Sequence, residues 1–175
     1  TDAIMLSGES AMGKYPLEAL KMMVKIAKET EIHLDHALYR GRKVNKMDKK
    51  NISNQVGYAA VYTADQLDAK AIIAPSITGF TTRMLSKWRS SIPVYGMSPS
   101  ISTVRQMQLL YGVVPVWAKR ADTTDELISS SVEILKSGKY IKENDLVVIT
   151  AGIIPDKIER GPAKYTNTMQ VEIVK

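Results

Sequence analysis

Hydroxyl side chains crowd around a glycine in the run Ser76-Ile77-Thr78-Gly79-Phe80-Thr81-Thr82. The run follows a short apolar segment, Ala71–Pro75, and leads into residues with helical spacing. Hydroxyls beside a helix start form a cradle for phosphate. They donate hydrogen bonds, the first helical N–H groups have no intrahelical acceptor, and the helix dipole favours negative charge. Gly79 lets the backbone approach closely or take a positive φ. Ordinary capping of the helix explains the same residues without a ligand, and at this segment both readings stand.

A second segment bears on the choice. Gly152 to Tyr165 is long for a connection inside a compact domain, where about 4–6 residues is usual. It leaves an apolar run at Leu146–Ala151 and carries Lys157, Arg160 and Lys164, with Gly152 and Gly161 as hinges. In an open parallel sheet both segments leave strand ends on one edge, the edge where ligands bind. A hydroxyl-rich loop facing a cationic one suits a sugar phosphate or a nucleotide. The alternative for the second loop is a plain surface connection; binding is the reading taken.

The remaining candidates are weaker. His33 and His36 stand three apart, but no third ligand has metal-binding spacing, so they read as exposed or interface histidines. Met23, Met84 and Met107 recur at helical positions and read as core filler. Trp88 and Trp117 read as packing residues, with Trp117 at the edge where a ligand could stack. No Ser/His/Asp set, paired carboxylates or phosphate-loop lysine motif is present. Read from its residues alone, the chain is an anion-binding α/β module.

The elements that would position these residues follow from periodicity. Asp2–Leu6 reads as a short apolar strand and Ser7–Lys14 as a glycine-punctuated loop. A helix runs from Pro16, a favoured first helical residue, to past Glu29. A helix begins near Ser53, taken as its N-cap. Ala71–Pro75, Val94–Met97, Val113–Trp117 and Leu146–Ala151 are short apolar runs of the kind buried in a parallel sheet. Thr81–Ser91, Pro99–Leu110 (capped by Ser98) and Thr123–Ser137 are the intervening helices. Met169, Val171 and Ile173 alternate with polar residues in Thr168–Val174. That is an edge strand with one buried face, antiparallel because no helix precedes it. The expectation is an α/β fold: a five-stranded, mostly parallel sheet with helices on both faces and an antiparallel last strand. The strand–helix piece ahead of it has no sheet of its own to join.

Composition bounds the rest. The 175 residues are 45% hydrophobic and 24% charged, with a formal net charge of +6 and no cysteine. Disulfides, thiolate metal sites and a cysteine nucleophile are excluded, which fits a reducing compartment. No apolar run approaches the roughly 20 residues of a membrane span, and no signal peptide opens the chain. The basic residues are scattered except at Arg40–Lys50, which has no nucleic-acid motif and reads as a solvated, mobile linker. No nucleic-acid or membrane partner is expected. The start at Thr1, inside an apolar run, reads as a cut made upstream.

The run Asp2-Ala3-Ile4-Met5-Leu6-Ser7-Gly8-Glu9-Ser10-Ala11-Met12-Gly13-Lys14-Tyr15-Pro16-Leu17-Glu18-Ala19 strongly resembles a segment of the pyruvate kinases. Met84-Leu85-Ser86-Lys87-Trp88-Arg89, Gly112-Val113-Val114-Pro115 and Thr166-Asn167-Thr168-Met169 agree with it. The resemblance covers almost the whole chain, least well at Arg40–Lys50. It implies that residues 1–32 are the last strand and helix of a (β/α)₈ catalytic barrel. Residues 33–175 would then be the C-terminal domain that carries regulation and subunit contacts. The parent enzyme would be a cytoplasmic homotetramer that moves a phosphoryl group from phosphoenolpyruvate to ADP with Mg²⁺ and K⁺. The fragment itself would hold no cofactor or metal and be inactive, and could form a homodimer through its last strand or the neighbouring helix.

The resemblance also assigns roles. Ser7 matches a serine proposed to relay a proton in the parent active site; hydrogen bonding within the Gly8–Gly13 loop is its structural alternative. Ser76, Thr78, Gly79, Thr81 and Thr82 match a phosphate-clamping loop, and Gly161 to Thr166, with Lys164, an effector loop. Tyr165 stands where many relatives have glycine. No cation in Asp125–Ser131 matches the one that holds a second phosphate, with Arg120 and Lys164 as substitutes. The expected effector is therefore a sugar phosphate or AMP. A structural domain without an effector site is the alternative.

Overall fold

The computed structural model describes residues 1–45, 47–152 and 166–175. In chain order the elements are α1 (Gly8–Ala11), α2 (Pro16–Ile32), α3 (His36–Val44), α4 (Ile52–Gln66), β1 (Ala71–Pro75), α5 (Phe80–Ser86), β2 (Val94–Ser98), α6 (Ile101–Met107), β3 (Val113–Trp117), α7 (Thr124–Ser137), β4 (Leu146–Ala151) and β5 (Thr168–Ile173). The five strands form one sheet in the order β3-β2-β1-β4-β5. The pairs among β1, β2, β3 and β4 are parallel, and β4 with β5 is antiparallel.

The sheet is covered on both faces because its inner strands are apolar along nearly their whole length, Ser98 and Thr150 being the polar exceptions. β1 and β2 are buried along their whole length. Successive side chains point to opposite faces, so each strand feeds two cores. Ile72, Ala74, Val94 and Val148 pack with Ala60, Val61 and Ala64 of α4 and with Leu85 and Trp88. Ala71, Ile73, Tyr95, Val147 and Ile149 pack with Leu135, Ile128 and Val132 of α7. Gly96 permits close packing on the first face, since a Cβ there would stand 2.7 Å from Thr82 Cγ2 and 2.8 Å from Met107 Sδ.

Helix starts are set by short polar side chains. Asp35 caps α3 by accepting from Leu38 N at 2.7 Å. Thr123 caps α7 through Glu126 N at 3.1 Å, while Glu126 Oε2 accepts from Asp122 N at 2.9 Å, so two donors at the helix start are satisfied together. Two expected caps are displaced. Asn51, not Ser53, caps α4 by accepting from Asn54 N at 3.0 Å. Ser100, not Ser98, caps α6 by accepting from Thr103 N at 3.3 Å. Both serines are buried and engaged elsewhere. α5 ends at Ser86, earlier than the expected Ser91; beyond it Arg89 adopts a φ of 51°, which a helix does not continue through.

Three further expectations change. Residues 2–6 are not a strand, because a strand requires a neighbour and the sheet has none for them. The Arg40–Lys50 stretch is not simply a linker. Its first half lies in α3, where Arg40 is buried and pairs with Asp65 at 2.5 Å, with both side chains about nine-tenths covered. In β5, Met169, Val171 and Ile173 do not make a buried face: each is exposed, because α4 reaches over β4 but leaves the edge strand largely uncovered.

α2 buries none of its residues, and Leu17, Leu20, Val24 and Ile26 face solvent. The start of the chain meets the turn after α5 at Asp2, whose carboxylate lies 2.8 Å from the Arg89 guanidinium. No helix among the described residues is long and apolar enough to cross a membrane.

Candidate functional site

The chain runs outward from β1 through β2 to β3, then returns past β1 to form β4. The direction reverses between β1 and β4, and in open α/β sheets that switch point opens a crevice beyond the strand ends. The Ser76–Gly79 loop leaves β1 there, and Ala151 ends β4 beside it.

The loop is built from hydroxyls used inward. Ser76 Oγ accepts from Thr81 N at 3.4 Å, which closes the turn. Gly79 takes a φ of +74° as the N-cap of α5. A Cβ there would lie 3.3 Å from both Met107 Cγ and Thr103 Cγ2, so the glycine answers both a left-handed turn and the close approach of α6. Ile77 O accepts from Ser98 Oγ at 3.0 Å and from Thr103 Oγ1 at 3.1 Å, which stitches the loop to β2 and α6. Thr78 is exposed at its tip.

Across the switch point the chain re-enters at Thr166. Its hydroxyl donates to Thr81 Oγ1 at 2.8 Å, and its N–H donates to Ser53 Oγ at 3.1 Å. Thr166, Thr81 and Ser53 are all buried. Ser76, Gly79, Thr81 and Thr166 therefore converge on one end of the sheet. Thr82 does not face the same space, because its hydroxyl donates inward to Ala74 O at 3.4 Å and it is fully buried. Arg120 is exposed beyond β3, two strands from β1 and three from β4. Gly161 and Lys164, with Lys157 and Arg160, lie outside the described residues. Ser53, a good cap by its type, instead accepts from Thr166 N at this site. The available signal was Asn51, a better cap two positions earlier, which frees Ser53 to point elsewhere.

Ser7 lies at the start of α1, exposed, with its carbonyl accepting from Ser10 N and Ala11 N. Its N–H donates to Glu9 Oε2 at 3.1 Å, and backbone hydrogen bonds at Glu9 and Ser7 hold the Glu9 carboxyl below its ordinary value. Among the described residues no group of three or more His, Asp or Glu side chains is placed to hold a metal. His36 Nδ1 lies 2.6 Å from Arg89 O, and His33 pairs with Glu29 at 3.4 Å.

Residues 54–172 match the family profile described as "Pyruvate kinase, alpha/beta domain". The chain belongs to the pyruvate kinase family. The match spans the sheet and the loop ends just described. Pyruvate kinases of Sporosarcina psychrophila and Clostridium acetobutylicum are each 38% identical to it over 99% of the chain, covering 29% and 36% of those proteins. That of Geobacillus stearothermophilus is 36% identical over 99% of the chain. The chain thus spans about a third of the length of these curated relatives. A pyruvate kinase crystal structure from Cryptosporidium parvum superposes over 100% of the chain and 34% of its own, with a TM-score of 0.86 at 23% identity. That likeness carries the fold, and the pyruvate kinase α/β domain is the architecture described above.

Proposed function

We propose that this chain is the regulatory and subunit-contact region of a pyruvate kinase, and that it binds a phosphorylated effector at the β1–β4 switch point. Residues 1–32 would be the last strand and helix of the catalytic barrel, residues 2–6 becoming a strand only against the rest of that barrel, and 33–175 the C-terminal domain. The exposed apolar side chains of α2 support this division, because a barrel would cover them. The parent enzyme transfers a phosphoryl group from phosphoenolpyruvate to ADP in the cytoplasm, with Mg²⁺ and K⁺. Ser7 serves its proton relay as a hydroxyl link in a hydrogen-bonded chain. The isolated chain is inactive, because the residues that hold metal and phosphoryl group lie outside it.

The observation that carries the effector reading is the Thr166–Thr81 hydrogen bond, which brings the exit of the second loop against the first. Phosphate would be held by Ser76, Thr78 and the backbone at Gly79, with Lys164 and Gly161 contributing from the second loop. Arg120 stands exposed beyond β3, two strands along the sheet edge from this loop. It serves another part of the ligand.

A structural domain without an effector is the second reading. It is favoured by the fact that Thr81 and Thr166 are buried and satisfy one another. Calorimetry with a panel of sugar phosphates and AMP, on the native chain and the Ser76→Ala, Thr78→Ala double variant, separates the two. The effector reading expects binding that falls about tenfold or more in the variant, as loss of two hydrogen bonds to a charged group implies. Unchanged binding, or none at millimolar concentration, leaves the structural reading.

A further inference from the structure

Two lysines meet at the end of α5 with no carboxylate between them. Lys43 of α3 donates from Nζ to the Lys87 carbonyl at 2.8 Å and to the Tyr39 hydroxyl at 3.2 Å. Lys87 Nζ donates to Asn54 Oδ1 of α4 and lies 3.8 Å from Met84 Sδ. It also sits over the Trp88 ring, 5.2 Å from its centroid. Among the described residues neither lysine forms an ion pair, and both are half-buried. Arg89, two positions on, pairs with Asp2 and adds a third cation 6.0 Å from the Tyr39 ring.

Like charges held together against sulfur, indole and amide raise the cost of each. Lys87 gives up its proton more readily than an ordinary lysine, first through burial and then through the charge of Lys43. A deprotonated amine carries the lone pair that attacks an electrophile. The surroundings then favour an anion built on that nitrogen. Lys43 supplies an ammonium, and the Asn54 amide, turned over, offers its NH₂ as a donor. The titratable groups on this side are Lys43, Tyr39 and Arg89; Asn54, Met84 and Trp88 do not titrate.

We propose that Lys87 takes up carbon dioxide as a carbamate, with Lys43 as its counter-ion. The Nζ lone pair forms a bond to the carbon of dissolved carbon dioxide, one C=O π pair moves onto oxygen, and a proton leaves nitrogen for water. No electron donor or acceptor is needed. A repulsive pair of cations becomes an ion pair that joins α3 to α5. The inference is independent of the effector reading, since no residue of the Ser76–Thr81 loop takes part.

The test places the native chain in isotopically labelled bicarbonate at mildly alkaline pH. Carbon NMR detects the carbamate, and trapping with a trialkyloxonium reagent followed by peptide mass spectrometry assigns its site. Occupancy at Lys87 is expected to exceed that at the exposed Lys119 and Lys142 by about fivefold or more, the worth of one close ion pair in water. Lys87→Arg removes the signal and leaves that of the Thr1 amine, a control common to every variant. Lys43→Met lowers occupancy at Lys87 by about fivefold, and Lys43→Arg restores it. Absence of a carbamate at Lys87, or an occupancy no higher than at Lys119, overturns the proposal. So does an occupancy that Lys43→Met leaves unchanged, because the counter-ion is part of it. Circular dichroism checks that each variant folds.

Discussion

The hydroxyls of Thr81 and Thr166 meet at 2.8 Å although 85 positions separate them in the chain. The contact is buried, and Thr166 is held a second time by Ser53. One side chain at the start of α5 therefore fixes where the chain re-enters the sheet before β5.

That pair sets the first prediction. Thr81→Val and Thr166→Val each leave the partner hydroxyl buried without a bond, which costs about 1–3 kcal/mol. With both replaced, no orphan remains, and the double variant loses little more than either single one. Urea denaturation of the four proteins measures this. Fully additive losses would mean that the two hydroxyls do not depend on each other.

Gly79 and Gly112 allow a matched comparison. Both adopt a positive φ, +74° and +66°, but a Cβ meets α6 only at Gly79; at Gly112 nothing lies within 4 Å. Alanine at Gly112 costs backbone strain alone, about 1 kcal/mol. Alanine at Gly79 adds displacement of Thr103 and Met107 and is expected to cost at least 1 kcal/mol more. Equal melting temperatures for the two variants would remove the role given to α6 in shaping the loop.

The sequence carried the sheet well and the local ends less well. β1, β3 and β4 fall where their apolar runs predict; β1 and most of β4 are buried on both faces, while β3, at the sheet edge, is half-buried and still apolar at every position. The antiparallel β5 follows from the lack of a helical pattern in the sequence between Leu146–Ala151 and Thr168. Ser53 and Ser98 were misread because serine is a good cap in isolation. Only the three-dimensional path shows that Asn51 and Ser100 stand at the true helix starts while the two serines serve loop contacts. Arg40 was hidden for a similar reason. A basic run reads as solvated until a buried carboxylate such as Asp65 is seen to face it. For the site, the hydroxyl loop was legible from composition, whereas the distance of Arg120 from it depends on strand order, which no local pattern encodes.

Arg40 and Asp65 lead to a third stability prediction. Asp65 also accepts from Ser91 Oγ at 2.9 Å and Ser90 Oγ at 3.3 Å, so it binds α3 and the turn after α5 to the end of α4. Asp65→Ala strands the Arg40 guanidinium in a buried site and is expected to cost about 3–5 kcal/mol. The paired change Arg40→Met, Asp65→Leu should recover most of that loss, because no unpaired charge is left. Thermal unfolding of the three proteins decides it. A double variant as unstable as the single one would show that geometry, not charge, holds α3.

Lys87 supplies a pH dependence. Burial, and then the charge of Lys43, pushes its ammonium below the ordinary value of 10.5. Between the lowered native value and the unfolded one, the unfolded chain binds more protons, so stability rises with pH in that interval. The effect lies on the alkaline side, below and up to 10.5. Relative to Lys87→Met, which has no proton to lose, the native chain should gain stability as pH is raised through this window. Parallel profiles for the two proteins would remove Lys87 as the cause.

The uncovered edge strand bears on assembly. β5 pairs with β4 on one side only, and Met169, Val171 and Ile173 share the face that α4 leaves open, with Ile173 62% exposed. An edge that combines unpaired backbone groups with apolar side chains recruits a partner strand or helix unless charge blocks it. The expected partner is a second copy, with the two β5 strands or their neighbouring helices in contact. Light scattering should then give a dimer mass that falls to that of a monomer in Val171→Lys. A lysine on the exposed face leaves the register between Val171 and Val148 intact, so the fold persists while the contact is lost. A monomeric mass for the native chain at high micromolar concentration would show that the exposed face of β5 does not bring two copies together.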